Sequence, residues 1–224
     1  MVGQYLLVTN DDIIQRTIEH VRQKLGDDSS GHDWWHIHRV WKNALAICRH
    51  EHADRFVVEL AAILHDLDDW KLDPSNDGTP AGAEAWLRRM NVEPAIREHV
   101  CSIITHVSFK GAGVEDKIPS LEGMTVQDAD RLDAIGAVGI GRAFAYGGYK
   151  GRAMHDPAQA PQFHATFEHY KRGEGTTINH FHEKLLLLED RMHTATAKRM
   201  AIERHAYMEG FLKEFLKEWD GGEP

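Results

Sequence analysis

The segment AAILHDLDDW, Ala61 to Trp70, begins as the apolar stretch of a buried helix and turns within one residue into His65, Asp66, Leu67, Asp68 and Asp69. An imidazole and three carboxylates at the end of a core helix are costly unless they are paired or coordinate a metal. Within a regular helix His65 and Asp66 point about 100° apart, but at a loosened last turn they can converge on one ion. Further donors must come from elsewhere in the chain. DWWHIHRVW offers His36, one residue before Ile37 and four before Val40, on the flank of an apolar stripe and so directed inward. VQDADRLDAIGAVG offers Asp128, Asp130 and Asp133 in a run of mostly apolar and small residues, with Asp130 and Asp133 on one helix face. A carboxylate buried in a helix interior needs a partner, and a cation is one.

Two imidazoles and two carboxylates make a mixed nitrogen and oxygen donor set, which suits Mn²⁺, Fe²⁺, Co²⁺, Ni²⁺ or Zn²⁺ better than Ca²⁺. Four protein ligands on a six-coordinate ion leave positions for water and substrate oxygens, the condition for catalysis. Asp69, three residues after Asp66, is placed to orient an attacking water or take its proton. Arg39, Lys71 and Lys110 are the basic residues nearest these segments and the candidates for substrate phosphates, although Arg39 can instead pair with an acidic neighbour. His99 and His106 lie two turns apart between the HD pair and Asp130, so both can face one way.

The segments HxxRV at His36–Val40, HD at His65–Asp66 and DADRLDAIG at Asp128–Gly136 resemble, in that order, the H…HD…D signature of the HD-domain superfamily. WWHIHRVW, SFKG at Ser108–Gly111, INHFHEKLL near His180 and TATAKRMAIERHAYMEGFLKEF extend the likeness over most of the chain, to the stand-alone bacterial YedJ/YpgQ-like branch of HD phosphohydrolases. The resemblance implies an all-α fold and one divalent metal held by His36, His65, Asp66 and Asp130. It also implies hydrolysis of nucleoside triphosphates to monophosphate and pyrophosphate. Mn²⁺ is the favoured ion among Mn²⁺, Ni²⁺, Co²⁺, Fe²⁺, Zn²⁺ and Mg²⁺. Some superfamily members use two further histidines for a second metal. A dinuclear oxygenase or phosphodiesterase using His99 or His106 is therefore one alternative, and a non-catalytic metal-stabilised nucleotide-binding module is another. In the mononuclear reading His106 faces the substrate.

The elements that must position these residues are helical. Asn10, Asp33, Asp54 and Thr79 are candidate caps, each followed by apolar residues at helical spacing, and Pro94 opens a further helix. One long helix is expected from about Val126 to Tyr146, then an irregular stretch from Arg152 to Thr177. Two C-terminal helical pieces follow, broken near His193-Thr194. Ala201, His205, Met208, Leu212, Phe215 and Trp219 form a packing seam. GAVGIGR follows no strand, so its glycines read as close helix approaches rather than a phosphate loop. RHEH and NHFH read as polar helix ends. The whole is read as a single domain over residues 1–224, with core motifs at 33–135 and the helices of 177–219 packed on it.

Composition narrows the function classes. The chain has 224 residues, 42% hydrophobic and 27% charged, as in soluble globular proteins. No apolar run approaches the roughly 20 residues of a membrane span, and the start lacks a basic, apolar leader, so a cytoplasmic protein is expected. A formal net charge of −9 disfavours duplex nucleic acid. It does not exclude a small phosphorylated substrate, because a divalent ion reverses the local field. Cys48 and Cys101 read as buried free thiols. The seam ending at Trp219 fits a monomer or a homodimer.

Overall fold

The computed structural model describes residues 9–25, 33–68, 79–107, 118–162 and 175–222. Within them every regular element is a helix, in line with the all-α expectation. α1 (Asn10–Leu25) starts one residue after Thr9, whose hydroxyl and backbone exchange hydrogen bonds with Asp12, so Thr9 is its cap rather than Asn10. α2 (Trp34–Glu51) is capped by Asp33, which accepts from the His36 N–H, and it buries Ile37, Val40, Ala44 and Ile47. α3 (Arg55–Leu64) is capped by Asp54 and buried on all sides from Val57 to Leu64, which makes it the central helix. Its fully buried Leu60, Ile63 and Leu64 each contribute about 1.5–3 kcal/mol, which offsets ending the helix on buried His65 and Asp66.

α4 (Ala81–Arg89) begins one residue later than Thr79-Pro80 suggested, with Pro80 at its cap and no capping side chain of its own. Its free N-terminal donor is met from a distance: Asp68 accepts from the Ala83 N–H at 2.9 Å. α5 (Pro94–Val107) and α6 (Leu121–Asp133) follow, α6 capped by Ser120. The single helix expected over 126–146 is two. It stops at Asp133, turns through Ala134-Ile135, and restarts as α7 (Gly136–Tyr149). Gly136 holds a φ of +74° against the Arg204 side chain, and a Cβ at Gly139 would overlap the Ala134 carbonyl oxygen. Gly136 and Gly139 therefore make the bend and the close approach, while Gly141 has open space around it.

α8 (Thr177–Glu183) is followed by a short 3₁₀ turn (Leu185–Leu187), and α9 (Ala195–Trp219) is capped by Thr194, so the break near His193-Thr194 is present. α2 lies along α6 and α3; α5 packs on α3 and α6; α9 covers α7, α6 and α2. Their buried apolar side chains form one cluster. The seam of α9 buries Ala201, Met208 and Leu212, while Phe215 stacks on the more exposed Trp219. NHFH is not a polar end: Asn179 and Phe181 are buried. Burial, with the nearby charges of Lys184 and Arg152, pushes the His180 imidazole down to about 3. Cys48 and Cys101 are free and only partly buried. No described helix is long and apolar enough to cross a membrane.

Candidate metal centre

Three elements deliver the site: the first turn of α2, the turn that ends α3, and the last turns of α6. His36 is buried in α2, and its Nδ1 lies 2.7 Å from Asp133 Oδ2. Its Nε2 points the other way, 3.3 Å from Asp66 Oδ2 and 3.5 Å from Asp130 Oδ1. His65 leaves α3 with Nδ1 2.9 Å from the Ala62 carbonyl, an oxygen to which that nitrogen can only donate. Its Nε2 then carries the lone pair, buried, making no hydrogen bond, 3.4 Å from Asp66 Oδ1 and 4.0 Å from Asp130 Oδ1. The two rings meet edge to face at 5.3 Å. Donor atoms of His36, His65 and Asp66 all lie within 4.8 Å of one another, the one such group of potential metal ligands among the described residues.

A buried imidazole nitrogen with no hydrogen bond, facing carboxylates, fits the donor chemistry of a divalent metal ion. Charge points the same way. Burial opposes protonation of His36, yet its bonds to Asp133 and Asp66 push it up to about 9. The carboxylates around His36 thus favour positive charge at this point, which a divalent cation would supply. Burial alone would raise Asp133. Hydrogen bonds from His36 and Arg39 and the Arg142 charge instead hold it well below the usual carboxylate range.

The three aspartates of α6 have different partners. Asp128 is fully buried and ties α6 to the start of α9, accepting from the N–H groups of His193 at 2.9 Å and Thr194 at 2.8 Å and from the Thr194 hydroxyl at 2.8 Å. Asp130, its side chain 29% exposed, faces the two imidazoles. Asp133 receives His36, Arg39 Nε at 2.6 Å and Arg142 Nη1 at 2.7 Å. Arg39 thus has the acidic neighbour its position allowed. Asp68 caps α4 and is not a solvated helix end.

Of the remaining sequence candidates, His99 and His106 are described, each with partners other than these ligands. His99 Nε2 is 2.9 Å from the Ser120 hydroxyl and 3.7 Å from Glu122, at the α5–α6 junction. His106 donates from Nδ1 to the Ser102 carbonyl at 2.7 Å within its own helix. Asp69, Lys71 and Lys110 lie outside the described residues. Sequence reasoning missed two members. Asp133 was noted as sharing a face with Asp130 but given no task. Arg142 carries no local signal, since only the bend at Gly136 turns α7 so that it reaches back to Asp133.

The HD domain family matches residues 34–135, a span that holds His36, His65, Asp66 and Asp130. The Bacillus subtilis protein YpgQ is 41% identical over 202 residues, covering 90% of this chain and 91% of that one. A crystal structure of a Lactobacillus plantarum protein superposes with a TM-score of 0.81 at 38% identity, covering 99% of this chain and 100% of the other. An HD-superfamily hydrolase from Bacillus thuringiensis does so at 0.75 and 43% identity, covering 95% and 99%. YpgQ has itself been crystallised in complex with ADP.

Proposed function

The chain belongs to the HD-domain superfamily, and on that footing we propose that it is a metal-dependent phosphohydrolase of nucleotides, converting (deoxy)nucleoside triphosphates to monophosphate and pyrophosphate in the cytoplasm. The observation that carries the reading is the cluster of His36 Nε2, His65 Nε2 and Asp66, with Asp130 Oδ1 3.5 and 4.0 Å from the two imidazoles and His65 Nε2 left without a hydrogen bond. We assign these four as ligands of a single divalent ion, Mn²⁺ by preference. Bound there, such an ion supplies Lewis acidity, which brings water toward deprotonation near neutral pH and draws charge from a phosphoryl oxygen.

The protein's own groups do the rest. His36 and His65 are neutral ligands whose Nδ1 atoms are engaged by Asp133 and Ala62, so both present Nε2. Asp66 and Asp130 balance two positive charges. One carboxylate, Asp133, is shared by two guanidiniums, and Arg39 and Arg142 remain 31% and 23% exposed. Arg39 keeps part of its guanidinium side chain exposed beside the cluster, and we assign it to a phosphate oxygen. Asp69 orients the attacking water, while Lys71, Lys110 and His106 complete the substrate contacts. The ADP complex of YpgQ supports a nucleotide as the ligand class.

The test is ³¹P NMR of a deoxynucleoside triphosphate incubated with the protein and Mn²⁺. Pyrophosphate appearing in step with the monophosphate is the expected result. Orthophosphate with a diphosphate would move the cleavage point, and no product with any divalent ion would end the reading as an enzyme.

A further inference from the structure

Asp133 Oδ2 lies 2.7 Å from Nδ1 of the proposed ligand His36, on the side of the ring away from Asp66 and Asp130. It is 2% exposed, and His36 Nδ1, Arg39 Nε and Nη2, and Arg142 Nη1 all approach its two oxygens, at 2.7, 2.6, 3.1 and 2.7 Å. The donors come from two helices, α2 and α7. Arg142 also donates to the Asp133 main-chain carbonyl at 3.3 Å, which fastens α7 to the end of α6. A buried ion pair gains little stability over apolar packing of similar volume, so fold stability alone is a weak account of this cluster. What it controls is His36. A neutral imidazole carries its proton on one nitrogen only, and with no acceptor at Nδ1 it can take the tautomer that aims an N–H at the ion position.

We propose that Asp133 is a positioning residue for the metal centre: its carboxylate, clamped between Arg39 and Arg142, holds His36 as the Nδ1–H tautomer and so directs the Nε2 lone pair toward Asp66 and Asp130, where the ion would sit. The Ala62 carbonyl does the same for His65 from within α3. The two ligands thus differ in kind, since His65 is oriented by backbone that no substitution removes and His36 by a side chain that one can. The assignment rests on the metal reading above. Loss of such an orienting group typically weakens metal affinity about 10–100-fold.

The experiment compares wild type with Asp133→Asn, using Zn²⁺ as a diamagnetic probe in competition titrations against a chelator. ¹H NMR of the Zn²⁺-loaded proteins reads the Nδ1 proton of His36, identified by its loss in His36→Gln. Expected are an affinity lower by about 10–100-fold and a shifted or missing downfield proton, with a cooperative melt of the metal-free variant showing that it folds. An affinity within fivefold of wild type, or an unmoved proton, overturns the proposal. Should Asp133→Asn fail to fold, Arg142→Met decides. It keeps the carboxylate but loosens the clamp, and at least a threefold loss with a shifted proton is expected. Any smaller change, or a proton that stays in place, overturns the proposal. Wild type that takes up no Zn²⁺ would instead fail the metal reading itself.

Discussion

Asp128 and Asp130 are two residues apart in one helix, and exchanging each for asparagine is expected to break different things. The Asp128 carboxylate accepts three hydrogen bonds at the start of α9, two on Oδ2 and one on Oδ1. An amide there keeps at most one acceptor oxygen, so its NH₂ faces a donor, and the surviving bonds lose their charge. Hydrogen bonds to a charged group contribute about 1.5–3 kcal/mol each, so losing one and weakening two costs about 3–4 kcal/mol. Part of this is returned, because burial raises the Asp128 pKa against the hydrogen bonds that lower it. A net loss of about 2 kcal/mol remains, about 4–8 °C in Tm for a chain of 224 residues. Asp130→Asn removes a partly exposed carboxylate, and the metal-free fold should change by less than about 0.5 kcal/mol. Melts in EDTA followed by calorimetric Mn²⁺ titration read both quantities. Asp128→Asn should melt early and bind Mn²⁺ with wild-type affinity, and Asp130→Asn should melt normally and bind poorly. If Asp128→Asn abolishes binding with no loss of Tm, or Asp130→Asn destabilises as much as Asp128→Asn, the division of labour along α6 is wrong.

Asp69→Ala should lose at least tenfold in kcat while retaining Mn²⁺ affinity, measured by steady-state kinetics beside calorimetry; a full rate would remove Asp69 as the water-orienting group. His180 has a folded-state pKa of about 3, below its ordinary value of about 6.5. The unfolded chain therefore takes up a proton that the fold refuses. The associated stability is complete above pH 6.5 and is lost as pH falls toward 3, by at most about 1.4 kcal/mol per unit. Denaturant melts at pH 7 and pH 5 should accordingly show a difference up to about 2 kcal/mol smaller in His180→Gln than in wild type, and equal differences would contradict the assignment. Gly139→Ala places a methyl on the Ala134 carbonyl oxygen and should cost about 1–3 kcal/mol in the same melts, whereas Gly141→Ala, with open space around it, should cost nothing measurable.

Much of the architecture was legible because it is local. Asp33 and Asp54 sit directly before apolar residues at helical spacing, and both cap their helices. An uninterrupted apolar run ending in His65-Asp66 announced a buried helix with a polar end, and His36 beside Ile37 and Val40 announced an inward imidazole. What remained hidden depends on groups distant in the chain. Asp128, Asp130 and Asp133 share one helix, and only the packing of α9, α2 and α7 around it gives each its partner. The bend after Asp133 falls on Ala134-Ile135-Gly136, residues that a continuous helix also accepts, and Arg142 depends on that bend. Asp68 caps α4 across fifteen residues, beyond any helical period. NHFH looks polar in sequence, yet α8 buries Asn179 and Phe181.

Central to the account is one divalent ion between His36, His65, Asp66 and Asp130, and anomalous diffraction at the manganese edge from a crystal grown with Mn²⁺ tests it most directly. The expected map has a single strong peak per chain, about 2.0–2.3 Å from His36 Nε2, His65 Nε2 and one oxygen of each aspartate. A map with no peak at that point, or with a second ion held by His99 or His106, would contradict the account.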